Sequence, residues 1–149
     1  MLETILAGSG DPVGRAAADL ARAMGLSVEE DRPESAAPAS GEEGHRRILE
    51  RQVRTADAVW FLGRAADLPQ AAELERLAAA HRRPFLALDL EAMPRFELAR
   101  RGAEWLAAQG GSRLLIAGPR NPAGADLDQR VRELLHTVWH LSQIPPPAL

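Results

Sequence analysis

Short runs of apolar residues alternate along this chain with longer stretches in which apolar residues recur every three or four positions. The short runs predict strands, because near-continuous apolar segments of this length are typical of strands covered on both faces. They lie at residues 4–8, 58–62, 84–90 and 114–117. The longer stretches have the spacing of amphipathic helices. They lie at residues 13–26, 69–83, 96–109 and 126–142, with a further helical pattern around 48–53.

This alternation of strands and helices predicts an α/β fold, because each strand must return to the sheet through a helical crossover. We expect a single doubly wound, Rossmann-like parallel sheet of four to five strands, with helices on both faces. One domain would span residues 1–149, a length that suits a single core. The polar stretch at about 27–44 predicts a mobile surface loop, with at most a brief strand near 26–28. The proline-rich end at about 144–149 predicts a flexible tail.

The composition excludes several classes of function. A net charge of -3 gives no general electrostatic reason to bind nucleic acid or an anionic membrane, so we expect neither as a partner. The absence of cysteine excludes disulfides, thiolate nucleophiles and thiolate metal sites. No basic leader opens the chain, and no apolar run approaches the roughly 18 residues of a membrane span. We therefore expect a soluble, unprocessed protein of the cytoplasm.

Three of the predicted strands stop in the same way, with a glycine immediately before a helical pattern. Because the carboxyl ends of parallel strands meet at one edge of a sheet, these three turns should form one crevice there. This is where ligands bind in open parallel sheets. The candidate ligand-binding residues at these turns are Gly8, Ser9, Gly10, Arg15, Gly63, Arg64, Gly118, Pro119 and Arg120.

The chemistry predicted for these turns is the binding of a small phosphorylated ligand. Backbone N–H groups of residues 8–10 could face an anion at the start of the first helix, and Arg15 could add a charge-assisted hydrogen bond. The alternative is a plain tight turn in which Asp11 caps the helix and Pro12 occupies its first position. Arg120 could likewise supply a second cationic contact, or it could be solvated beside a turn shaped by its Gly-Pro neighbours.

Other residues with possible chemistry do not form a convincing catalytic or metal site. His136 and His140 have a spacing that metal sites use, but the sequence offers no evident third ligand. Ser9 has the wrong glycine spacing for a nucleophile elbow. Asp57 and Asp89 are more typical of caps or ion pairs than of a general acid or base. We therefore predict no catalytic residue and no metal ligand.

Several segments resemble the family proposed to carry the molybdenum cofactor, a Rossmann-like group related to the lysine-decarboxylase-like nucleotide phosphoribohydrolases. Residues 52–59 are similar to the family's Asn-Val-x-Asp-Ser-Asp-Gly-Thr segment, and residues 83–90 to its Lys-Pro-x-Leu-x-Ile-Asp-Leu strand. Residues 105–106 resemble a late Trp-Leu pair, and residues 117–120 an Ala-Gly-Pro-Arg strand end. Residues 67–70 depart from the family's Gly-Gly-Thr turn, so the chain resembles a diverged member.

This resemblance implies a small-molecule binding protein that carries the molybdenum cofactor or another phosphate-bearing, nucleotide-like ligand, and it favours a non-enzyme over an enzyme. One alternative is a nucleotide N-glycosidic hydrolase, for which Glu73 is the nearest substitute for the relatives' carboxylate. Another is a non-catalytic interaction protein with a degenerate pocket. A homodimer formed through an exposed helix face is also a plausible expectation.

Overall fold

The computed structural model describes residues 2–7, 11–30, 42–120 and 126–143. The strands within these residues are β1 (Thr4–Ala7), β2 (Ser27–Glu30), β3 (Ala58–Gly63), β4 (Phe85–Asp89) and β5 (Arg113–Ala117). The α-helices are α1 (Pro12–Ala23), α2 (Glu42–Thr55), α3 (Ala72–Ala80), α4 (Arg95–Gln109) and α5 (Leu127–Gln143). A 3₁₀ helix, Ala65–Ala71, precedes α3.

The strands form one parallel sheet in the order β2-β1-β5-β3-β4. The register places Ala7 of β1 beside Ile116 of β5, and Phe61 of β3 beside Ala117 of β5. The predicted α/β fold with a parallel sheet is therefore confirmed, and the sheet has the larger of the two expected numbers of strands. Strands β1, β5 and β3 are neighbours at its centre, so their carboxyl ends lie side by side.

Each face of the sheet is covered by its own set of helices. Trp60 and Leu62 of β3 pack in a core with residues of α1, α4 and α5. Val59 and Phe61, which alternate with them, pack on the other face with residues of α2 and α3. Side chains of successive strand residues point to opposite faces, and both sets are buried here. This explains why the apolar run of β3 is continuous.

The helix that the sequence predicts from Pro69 onward begins later in the structure. Pro69 lies inside the 3₁₀ helix, and α3 begins only at Ala72. Proline has no N–H to donate, so it suits the short 3₁₀ segment better than the interior of an α-helix. The predicted end of α4 is confirmed, because Gly110 follows it with a left-handed φ of 72°.

A mobile loop was predicted for residues 27–44, but both ends of this range belong to regular elements. Strand β2 occupies 27–30, and α2 begins at 42. Strand β2 forms despite its polar composition because its backbone pairs in register with β1, with Val28 beside Ile5. The part of the predicted loop at 31–41 and the predicted tail at 144–149 lie outside the described residues. Among the helices that the structure describes, none has the length and apolar character needed to cross a membrane.

Candidate functional site

The carboxyl edge of the sheet brings together the strand ends that the sequence singled out. Gly63 ends β3, and Gly118 directly follows β5 in the neighbouring position of the sheet. After β5 the chain enters α5 on the α1 face, whereas after β3 it enters the 3₁₀ helix and α3 on the opposite face. Connections that diverge in this way leave a crevice between neighbouring strand ends. Gly8, Ser9 and Gly10, which follow β1, lie outside the described residues.

Gly118 and Gly63 are also needed for close packing. A Cβ atom at Gly118 would lie 2.2 Å from Val13 Cγ2 and 2.9 Å from the carbonyl oxygen of Leu62. A Cβ atom at Gly63 would lie 2.9 Å from Asp67 Cβ. All three distances are shorter than real Cβ atoms show in proteins. The glycines therefore let the start of α1 and the turn after β3 approach the strand ends closely.

Asp11 is a buried carboxylate at this edge. It is 3% exposed and caps α1, accepting a hydrogen bond from Gly14 N at 2.6 Å. The backbone N–H groups of Gly118 and Val13 also bond to this carboxylate. Burial nevertheless raises the pKa of Asp11 from 3.8 to about 7, while the backbone hydrogen bonds and the positive charge of Arg15 oppose the rise. Asp11 thus joins α1 to the end of β5 through a group that titrates near neutral pH.

The predicted cap is confirmed, with Asp11 at the N-cap and Pro12 in the first helical position. The N–H groups of Val13 and Gly14 are directed to Asp11 rather than left open at the helix start. An anion held at this edge would therefore depend more on arginine side chains than on the first turn of α1.

Arg15 lies beside a small pocket between the starts of α1 and α5. The pocket has a volume of about 240 Å³. Arg132, which also lines it, is bonded to Asp19 Oδ2 at 3.0 Å. The positive charges are balanced by acidic residues in the same wall. The lining residues are Pro12, Arg15, Ala16, Asp126, Leu127, Asp128 and Arg132.

The turns after β3 and β5 are joined by polar contacts. Asp67 is fully buried, and its Oδ2 accepts a hydrogen bond from Arg64 N at 3.0 Å. Gln70, in the same 3₁₀ helix, accepts a hydrogen bond from Arg120 N through its Oε1 at 3.2 Å. Pro119 is buried and Arg120 is exposed. In the segment that replaces the Gly-Gly-Thr turn, the Asp67 carboxylate therefore stabilises the turn after β3, and the Gln70 amide joins that turn to the one after β5.

Gln52 is a second buried polar residue at the end of β1. It is 3% exposed, and its Nε2 donates to Ala7 O at 2.6 Å across the boundary between α2 and β1. Its Oε1 is buried and accepts no hydrogen bond from any residue that the structure describes. Gln52 and Asp67 were not predicted as site residues. The signal for Gln52 was its polar side chain within the otherwise apolar stripe of α2 formed with Leu49 and Val53.

Other candidates lie elsewhere or have partners. Asp57 is at the amino end of β3, the opposite edge of the sheet. Asp89 ends β4 and accepts from Glu91 N at 2.9 Å, as expected for a cap. Glu73 is bonded to Arg46 Nε at 2.5 Å. Within the described part of the chain, no group of three or more His, Cys, Asp or Glu residues has a geometry suited to a metal ion.

The comparisons with known proteins agree with this architecture. The model of the Circularly permutated YpsA SLOG family matches residues 5–139. The chain belongs to this family. Its fold is similar to that of a crystal structure from Syntrophus aciditrophicus SB named "Putative molybdenum carrier protein", with a TM-score of 0.73 and 21% sequence identity over 92% of this chain and 94% of that one. No match was found among curated proteins.

The family membership confirms the resemblance at the level of a diverged relative of the molybdenum-carrier-like proteins. The match runs from β1 into the last turns of α5, so it includes every strand and both turns of the described crevice. At 21% sequence identity, the similarity to the solved structure shows a shared fold alone.

Proposed function

We propose that this protein is a small-molecule binding protein of the cytoplasm that holds a phosphate-bearing ligand at the carboxyl edge of its sheet. The observation that carries the proposal is the adjacency of the β1, β5 and β3 ends, with connections that diverge between β5 and β3. Arg15 lies in the first turns of α1, which begins at this edge, and Arg64 and Arg120 lie in the turns that follow β3 and β5. Guanidinium groups bind phosphate through paired, charge-assisted hydrogen bonds.

The size of the pocket beside Arg15 favours one group of the ligand rather than the whole ligand. Its volume of about 240 Å³ is below the roughly 300–1,000 Å³ of sites that enclose an entire drug-sized molecule. A phosphate fits such a volume and would pair with Arg15, against the opposing charges of Asp126 and Asp128 in the same lining. The remainder of the ligand would extend from the pocket along the carboxyl edge of the sheet.

The chemical class of the ligand is proposed from the relatives. The similar solved structure is named as a molybdenum carrier protein, which makes the molybdenum cofactor one candidate. Its phosphate is shared with nucleotides, so the same arginines would serve either ligand. We therefore propose a nucleotide-like or molybdenum cofactor ligand whose phosphate is the common recognition element.

The proposal is tested by isothermal titration calorimetry with inorganic phosphate, nucleoside monophosphates and molybdopterin. Arg15→Ala and Arg120→Ala should each weaken binding of the best ligand about 10-fold or more, because a hydrogen bond to a charged group contributes about 1.5–3 kcal/mol. Arg100→Ala, an exposed change on α4, serves as the matched control and should leave affinity unchanged. The absence of binding to the unaltered protein, or unchanged affinity in both test variants, would overturn the proposal.

A further inference from the structure

The side chain of Gln52 has one satisfied end and one unsatisfied end. Its Nε2 donates to Ala7 O at 2.6 Å, while its buried Oε1 lacks a hydrogen-bond donor among the described residues. The orientation of the amide is determined by chemistry, because a carbonyl oxygen such as Ala7 O accepts only from the NH₂ end. The orphaned atom is therefore the oxygen, an acceptor.

Leaving this acceptor buried has a cost. An unsatisfied buried polar atom loses its hydration without gaining a partner, which offsets much of what the bond to Ala7 returns. The neighbouring positions on the buried side of α2 are Leu49 and Val53. An apolar side chain would fit the pattern of this stripe, so stability alone does not account for the amide.

The position of Gln52 distinguishes it from the other unsatisfied atoms in the described residues. Trp60 Nε1 and Trp139 Nε1 belong to side chains in the apolar core beneath α1, α4 and α5. Gln52 instead contacts the last residue of β1, at the edge proposed for ligand binding. It approaches from the α2 face, whereas Arg15 lies on α1 at the opposite face. The two residues thus flank the end of β1 from both sides.

We propose that Gln52 is a specificity-determining residue whose Oε1 accepts a hydrogen bond from an N–H group on the heterocyclic part of the ligand. This assignment rests on the proposed function, and it places the phosphate on the Arg15 side and the heterocycle on the Gln52 side of the β1 end. Oε1 is buried and has no donor among the described residues, so it has already lost its hydration before a ligand binds. The buried acceptor then penalises any ligand that cannot donate to it.

The test compares ligands that differ by one amino group. Guanosine and inosine monophosphate form one pair, and adenosine and purine riboside monophosphate form another. The unaltered protein should prefer the amino-bearing member of one pair by about 10-fold, the effect of roughly 1.4 kcal/mol. Gln52→Met, which has a similar volume but neither polar atom, should bind both members equally. Its affinity for inorganic phosphate should remain unchanged.

A second variant separates recognition from folding. In Gln52→Glu the protonated carboxyl group can donate to Ala7 O and still present an acceptor oxygen, and burial favours that neutral form. At pH 5 this variant should keep the preference of the unaltered protein measured at the same pH. Circular dichroism melts of both variants verify that the proteins compared are folded.

The outcomes separate the two proposals. Binding of nucleotides without a preference between the members of either pair, or a preference that survives in Gln52→Met, overturns the role of Gln52 and leaves the phosphate site standing. Failure of the unaltered protein to bind phosphate and all nucleotides overturns the proposed function and this assignment with it.

Discussion

The two edges of the sheet contain the same local arrangement in different surroundings. At the amino edge, Asp57 Oδ2 accepts hydrogen bonds from Ser112 N and Arg113 N, both at 2.9 Å, and a Cβ at Gly111 would lie 2.4 Å from Asp57 Cβ. At the carboxyl edge, Asp11 accepts backbone hydrogen bonds beside Gly118, which also has no room for a Cβ. Each edge thus has an aspartate bonded to backbone N–H groups and a closely packed glycine.

Exposure to water separates the two aspartates. Asp57 is exposed, so its hydrogen bonds from Ser112 and Arg113 dominate and lower its pKa below 3.8. Asp11 is buried, so loss of hydration dominates and raises its pKa to about 7. The amino edge therefore gains stability from its charge. At the carboxyl edge, burial of the Asp11 carboxylate and of the unsatisfied Gln52 amide oxygen lowers stability. Such residues are expected where function rather than stability selects them.

The largest predicted effect concerns Asp11 and pH. A rise in pKa from 3.8 to about 7 means that the folded state binds a proton that the unfolded state releases. The contribution of Asp11 to stability is therefore greatest below pH 3.8 and declines as pH rises through about 7. The shift corresponds to a decline on the order of 4 kcal/mol. Asp11→Asn keeps a capping side chain without the charge, and it should flatten this part of the profile. Urea unfolding from pH 4 to 8 measures the change, and equal slopes in both proteins would refute it.

Gly118→Ala is expected to have the next largest effect. Its Cβ would meet both Val13 and the backbone oxygen of Leu62, and a backbone atom cannot move aside as a side chain can. We expect a loss of about 3 kcal/mol, at the upper end of overpacking effects. Gly111→Ala is the matched change at the amino edge. The three atoms nearest to the added Cβ all belong to the Asp57 side chain, so this change should cost less stability than Gly118→Ala. Thermal melts of the two variants compare them, and a greater loss in Gly111→Ala would contradict this account of the packing.

Asp57→Asn should have the smallest effect of the three and the opposite dependence on pH. Because the folded-state pKa of Asp57 is lowered, its contribution is present above pH 3.8 and lost as pH falls through the folded value. Removing the charge should cost roughly 1 kcal/mol at pH 7. The difference from the unaltered protein should shrink in acid. A constant difference from pH 7 to pH 2, measured by urea unfolding, would show that Asp57 acts through something other than its charge.

The sequence permitted prediction of the features that depend on local pattern. Apolar runs and helical spacing located the strands and helices, and parallel pairing implied that the strand ends meet at one edge. The order of the strands was not predictable, because it depends on contacts between segments far apart in the chain. The strand at 27–30 was only partly foreseen, since its stability comes from pairing with β1 rather than from its own residues.

The electrostatics of the site also required the structure. Asp11 could be recognised as a cap from its place before Pro12, but its raised pKa arises from burial against the distant end of β5. Gln52 was visible only as a polar interruption in the stripe of α2. Its unsatisfied oxygen depends on how closely α2 approaches β1. Local pattern therefore indicated where the crevice lies, and tertiary packing determined which polar groups are buried in it.

The most direct test of the account is a ¹H–¹⁵N NMR titration of the unaltered protein with the nucleotide that binds most tightly. The backbone amides of Gly63, Arg64, Gly118 and Arg120 at the carboxyl edge should shift in proportion to occupancy. Those of Gly111, Ser112 and Arg113 at the amino edge should stay in place. Shifts confined to the amino edge, or an unchanged spectrum at saturating nucleotide, would contradict the claim that the carboxyl edge is the ligand site.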